Sequence, residues 1–310
     1  YLHLVKINLM KYCIAFLGLM LITASSHAQS YSAWKRLRAE ITFGAGTTNF
    51  LGDLGGADQI GTDYYKDFET NMTRPTAFLG GRYKLHPRHA VMVGFQWGML
   101  AGDDRTTAWA DRMDRQFQFR SNVFELGARY EFYFVKEKAG HIYKLKKIRG
   151  IKNAGIYPYL FIGAAAFYHN PQGKDESGNW HNIRPLNTEG QEIIATRKPF
   201  SPVSLAIPYG FGFRKAFAGS KRWMFGLEYG QRKTFTDYMD GVSTTYFDNA
   251  TIEAYKGAPA AYLADPNKGT NENYVAGQQR GDPTDKDSYG FLTITVSYKL
   301  KTGRDGRVRF

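Results

Sequence analysis

Five side chains in two long polar stretches of the 310-residue sequence could together serve proton transfer or cation binding: His169 and His181 in the third long loop, then Asp237, Asp240 and Asp248 in the fourth. A histidine with a carboxylate partner could carry a proton in hydrolysis, and clustered aspartates could hold a hard cation such as calcium. The spacing argues against both. The aspartates lack the D-x-D-x-D-G order of a calcium loop, and neither G-x-S-x-G nor H-E-x-x-H occurs. Asp237 fits better as a loop residue that accepts backbone N–H bonds. Gly210-Phe-Gly212 lies inside an apolar alternation with no helix after it, so it is no phosphate cradle. We therefore expect no catalytic residue, no metal ligand, no cofactor and no small-molecule substrate.

What would position those side chains is set by the rest of the chain. From Met10, the run MKYCIAFLGLMLITASSHAQS combines a basic start at Lys11, a short apolar stretch and the small-residue site Ser26-His27-Ala28. Residues 1–28 read as a secretory signal peptide, with 1–9 an over-extended start, and residues 29–310 as a single exported domain. Cys13 falls inside the apolar stretch, so neither a disulfide nor a lipid anchor is implied. No later apolar run approaches the roughly 20 residues of a membrane helix. The net charge of +13 does not point to nucleic acid in an exported chain.

Eight segments alternate apolar and polar residues with period two, at 37–46, 76–86, 90–101, 119–134, 156–168, 203–217, 222–235 and 290–300. In the last, Leu292, Ile294, Val296, Tyr298 and Leu300 share one face, and Thr293, Thr295, Ser297 and Lys299 the other. Each segment reaches the ~9–11 residues of a tilted membrane strand. Pro158 and Pro208 count against the fifth and sixth segments, because proline cannot donate to a ladder. The fold class expected is all-β: a transmembrane antiparallel up-and-down barrel of eight strands with long extracellular loops, in preference to a secreted sandwich.

Outward faces such as Val91, Val93, Phe95 and Trp97, or Trp223, Phe225, Leu227 and Tyr229, would meet lipid. Inward faces carry Arg38, Glu40, Arg82, Glu125, Arg129, Glu131, Arg214, Glu228 and Arg232. Charges of both signs in so narrow a lumen should pair as a network rather than line a channel. Connections alternate short and long, which places both termini in the periplasm and the long loops outside. One periplasmic turn breaks the pattern by being long and basic: Lys136, Lys138, Lys144, Lys146, Lys147, Arg149 and Lys152 against the single acid Glu137. Such a patch suits either lipid phosphates or docking of an acidic periplasmic partner.

The ordered segments TNFLGDLGG, RYKLHPRHAVMVGFQWGMLAGDD, PYLFIGAAAFYHNPQG, RPLNTEGQ, AIPYGFGFRKAF, GLEYGQRKTFTDYMDGVSTTYFD and QRGDPTDKDSYGFLTITVSYK together resemble the PorG family of Bacteroidetes outer-membrane proteins. The resemblance implies a non-enzymatic outer-membrane barrel of the type IX secretion and gliding machinery. It also implies partners: a periplasmic ring of a PorK-like lipoprotein and a PorN-like protein. Within the family-like segments, Arg184, Glu189, Asp237 and Asp240 are expected to order the outer loops into a cap. A small diffusion channel and a generic structural barrel are the alternatives.

Overall fold

Along each long strand, apolar side chains alternate with polar or small ones, so a strand can satisfy two different media only by lying between them. The computed structural model describes residues 33–52, 54, 72–106, 110–137, 155–217, 220, 222–267, 275–284, 286–303 and 306–309. The signal-peptide reading at 1–28 and the turn lysines beyond Glu137 lie outside the described residues. Strands run β1 Ala39–Leu51, β2 Arg74–His86, β3 His89–Asp103, β4 Gln118–Tyr133, β5 Ile156–Lys174, β6 Trp180–Asn182, β7 Val203–Ala216, β8 Trp223–Thr234, β9 Ser288–Thr302 and β10 Val308–Arg309. Each long strand pairs antiparallel with the next, and β1 pairs with β9 from Ala39↔Leu300 to Leu51↔Ser288, which closes the sheet. Eight of the ten strands among the described residues thus form a closed up-and-down barrel; β6 is a short flap on β5, and β10 folds back on β9. This is the fold class expected from the alternation.

The outward face is apolar and exposed all round the barrel. Leu126 is 61% exposed, Leu205 59%, Ile162 57% and Phe43 55%, in a continuous belt far larger than the few hundred Å² that soluble monomers tolerate. A hydrocarbon surround is the environment in which such a belt is stable. Among the described residues no helix is long and apolar enough to cross a membrane.

Pro208 does not end β7, as the sequence led us to fear. The β5–β7 ladder is instead interrupted between Ile162↔Tyr209 and Ala165↔Ala206, so the missing proline N–H falls where no bond is made. Strand β5 also outruns its expected end at 168 by six residues, to Lys174. His169, expected in the third long loop, is therefore a strand residue and is wholly buried. The strand ends define two rims. At one, β2 and β3 are joined by Pro87 and Arg88 alone; at the other, residues 104–117, 175–202 and 235–287 form long connections.

Candidate functional site

Cross-strand register brings the inward charges together. Glu40 stands directly opposite Arg82, and Gln96 opposite Glu125. Arg82 donates to both Glu131 oxygens, at 2.6 and 3.1 Å, and to Glu40 at 3.1 Å. Arg214 reaches Glu40 at 2.5 Å, and Arg129 bridges Glu131 at 3.2 Å and Glu228 at 2.6 Å. Higher in the lumen Arg232 donates to Glu125 at 3.2 Å and to Gln96 at 3.0 Å. Tyrosines complete the acceptors: Tyr133 bonds Glu131 at 2.7 Å, Tyr159 bonds Glu228 at 2.6 Å and Tyr289 bonds Glu125 at 2.8 Å. Arg129 and Arg232 also lie over the rings of Phe161 and Phe291, at 4.3 and 4.4 Å. Every one of these groups is buried, and removing either partner of such a pair would strand the other charge in a dry interior.

Of the nine inward charges expected, Arg38 is the exception. It precedes β1, so the alternation that turns Glu40 inward does not extend to it. Its guanidinium packs over Trp34 and Tyr83 and donates to the Tyr83 hydroxyl at 2.9 Å. Three groups outside those nine join the network at this rim. Lys84 and Lys299 point inward, and Glu137, just past the end of β4, folds under the barrel to pair with both. Glu137 is the sole acid of the basic turn. Its carboxylate is only 8% exposed, so it is committed to the barrel floor. Lys136 beside it is exposed, as are Lys301, Arg307 and Arg309 of the tail.

The long-connection end is closed by two layers. An apolar plug of Phe50, Leu54, Phe119, Phe167, Met239 and Phe291 sits above the charges. Over it lies a polar cap centred on Glu189, which is wholly buried. The segment after β6 makes a 3₁₀ turn at Arg184–Leu186, passes through left-handed Asn187, and aims Glu189 inward; left-handed Gly190 follows at φ 76°. A Cβ on Gly190 would meet the Phe247 ring at 2.7 Å, so both conformation and packing there call for glycine.

The Glu189 carboxylate accepts from Ser243 N at 2.8 Å, Thr244 N at 3.2 Å, the Thr244 hydroxyl at 2.8 Å, the Tyr238 hydroxyl at 3.1 Å and Arg280 at 2.9 Å. Burial, and then that carboxylate, push the Tyr238 phenol up to about 12. Asp240 accepts from the backbone N–H of Leu54 at 3.1 Å and of Val242 at 2.9 Å, which ties the first loop to the fourth. Asp237 accepts the Ser243 hydroxyl at 2.6 Å.

Arg184, expected beside these three, lies elsewhere: it is exposed, and its Nε donates to the Phe200 carbonyl at 2.9 Å. The cation that does meet Glu189 is Arg280, in the QRGDPTDKDSYGF segment. It is buried, donates also to the carbonyls of Gly241 and Leu263, and lies over Phe117 at 4.8 Å.

The residues that opened the sequence reading have separate occupations. His169 meets the Ser201 carbonyl at 3.2 Å, and His181 meets Asp175 at 2.7 Å. That hydrogen bond from His181 holds Asp175 below the usual carboxylate range. Asp248 caps the helix Asn249–Lys256 through Thr251 N at 2.9 Å. Among the described residues no three His, Cys, Asp or Glu side chains converge as metal ligands.

A closed antiparallel barrel with an apolar belt, a charge-filled lumen and a folded cap defines an outer-membrane β-barrel protein. The chain belongs to the family described as "Domain of unknown function (DUF6089)", whose model matches residues 16–173. No curated protein matches the sequence. Among solved structures it is similar to the attachment invasion locus protein Ail of Yersinia pestis bound to sucrose octasulfate, at 10% identity and a TM-score of 0.36 over 86% of this chain and 99% of that one. It is also similar to Neisserial surface protein A, at 10% identity and 0.35 over 88% and 100%, and to OprG of Pseudomonas aeruginosa, at 9% and 0.38 over 86% and 98%. The barrel assignment rests on the strand pairing itself.

Proposed function

We propose that the chain is a non-enzymatic barrel of the type IX secretion and gliding machinery that couples a periplasmic ring, of PorK-like and PorN-like proteins, to the outer membrane. The resemblance in the ordered segments motivates the machinery. The observation that carries the coupling role is Glu137. With its carboxylate held under the barrel by Lys84 and Lys299, the turn from Lys138 to Lys152 keeps its cations with no acid of its own. On the orientation proposed, with short turns and termini in the periplasm, that turn and the basic tail face the same compartment. Such a field steers and orients an acidic partner.

A diffusion channel would need an open lumen, whereas this one is filled by ion pairs below and the apolar plug above. The reading is tested in two arms. A clean gene deletion should retain secreted cargo inside the cell, and normal secretion and gliding would refute it. Replacing Lys144, Lys146, Lys147 and Arg149 with glutamine should abolish co-purification of ring proteins while the barrel still shifts on heating in a gel; undiminished co-purification would move the partner surface elsewhere.

A further inference from the structure

On the outward face of β5 the chemistry changes abruptly. Leu160, Ile162, Ala164 and Ala166 are apolar; Tyr168 follows; then Asn170, Gln172 and Lys174. On the neighbouring strand Leu126 and Phe124 give way to Asn122 and Arg120. Aromatic residues flank the apolar band of such barrels, so Tyr168 marks the lipid–water boundary here. Directly over it opens a cleft of about 550 Å³ lined by Tyr168, Asn170, Asn182, Arg184, Glu192 and Lys256, with Pro185, Pro199 and Pro202 in its walls.

The cleft's donors are held in place. The bond from Arg184 Nε to the Phe200 carbonyl fixes the guanidinium and leaves its two Nη nitrogens to donate. Asn182 Oδ1 accepts from both Asn170 at 3.0 Å and Gln172 at 2.9 Å, which commits its amide nitrogen to donating outward. Lys256 stands 3.5 Å from Glu192 in an exposed pair, and such pairs are weak enough to exchange for a better anion. Glu192 also accepts from Asn187 at 2.6 Å.

We propose that this cleft holds the phosphorylated sugar headgroup of an outer-leaflet glycolipid. Arg184 and Lys256 take phosphate, Asn182 donates to sugar oxygens, and Tyr168 and the proline faces pack against the ring. The acyl chains then run down the outside of β5 and β7 over Ala166, Ile162 and Leu205. Continuity with the lipid-facing wall favours this occupant over a free anion or an acidic peptide. The inference rests on the long loops facing outward and is independent of the type IX reading.

The test uses the refolded full chain in zwitterionic detergent, with bound lipid counted by native mass spectrometry. Diphosphoryl lipid A is the probe, phosphatidylglycerol supplies phosphate and acyl chains without sugar, and inorganic phosphate supplies the anion alone. One retained lipid A is expected, undisplaced by either control. Arg184→Ala with Lys256→Ala should weaken retention about thirty-fold, and Glu192→Gln should strengthen it. Lys256→Ala alone, on an exposed helix end, keeps the test valid if the double variant fails to fold, and should lose several-fold. Equal retention by wild type and variants, equal retention of phosphatidylglycerol, or displacement by phosphate would overturn the proposal. None of these results depends on ring proteins or secreted cargo, so its failure is distinct from failure of the coupling role.

Discussion

Glu189→Gln is the change that most directly probes what holds the cap. All five groups around this carboxylate are donors: two backbone N–H groups, the hydroxyls of Tyr238 and Thr244, and the Arg280 guanidinium. Glutamine turns one acceptor oxygen into an N–H₂ that faces donors. It also leaves the Arg280 side chain, 1% exposed, beside a neutral group. Breaking a buried pair from one side costs about 3–5 kcal/mol, or about two to three and a half decades in an opening equilibrium. The loss should be local, because Glu189 touches loop residues and no barrel strand. Hydrogen exchange should therefore accelerate by that factor at Ser243 and Thr244, whose N–H groups it binds, while the amide of Arg82 in β2 keeps its protection. Adding Arg280→Met removes the stranded charge, so the double variant should recover at least about 1–2 kcal/mol relative to the sum of the singles. Exchange at Ser243 and Thr244 within a few-fold of wild type, or strictly additive singles, would refute the idea that this pair organises the cap.

Two further perturbations separate the cap from the floor. The Tyr238 phenol is raised from 10.0 to about 12, so its contribution is present in full below pH 10 and is lost as pH climbs towards 12; the tyrosinate difference spectrum between wild type and Tyr238→Phe should titrate late, and a midpoint near 10 would contradict the burial argument. Glu137→Gln withdraws the carboxylate shared by Lys84 and Lys299, both 7% exposed, and should lower barrel stability in urea by about 3–5 kcal/mol. Lys136→Gln, one residue away and exposed, should stay within about 0.5 kcal/mol; equal effects of the two changes would mean that Glu137 does not hold the floor.

The strands were legible because each separates two media, and that contrast is written into the sequence as period two. Where the contrast stops, so does the signal: from His169 to Lys174 strand β5 has left the apolar band, its outward residues are polar, and pairing with β4, from Val123↔His169 to Phe119↔Gly173, and with β6, from Gln172↔Asn182 to Lys174↔Trp180, keeps it extended. The same limit explains Arg38, which has the parity of Glu40 but stands before the strand begins. Glu137 fails in the opposite sense, since no alternation past Tyr133 announces that the chain turns back under the barrel. The cap was partly legible, because Glu189, Asp237 and Asp240 sit in family-like segments. Arg280 was not assigned, since it lies 91 residues from Glu189 and loops carry no period that would pair them.

The two ends of the barrel also treat charge differently, and that bears on where function lies. At the capped end charged side chains are spent on the protein itself: Glu189 on Arg280, Asp104 on Arg115 at 2.7 Å, Asp240 on backbone N–H groups. Satisfied groups of this kind hold a shape and offer little to a macromolecular partner. At the opposite end the one acid of the long turn is drawn inside, and Lys136, Lys301 and Arg309 stand exposed. The lumen is filled by ion pairs and the apolar plug. The belt suits anchoring in lipid, and the coupling proposed above would act at the basic end.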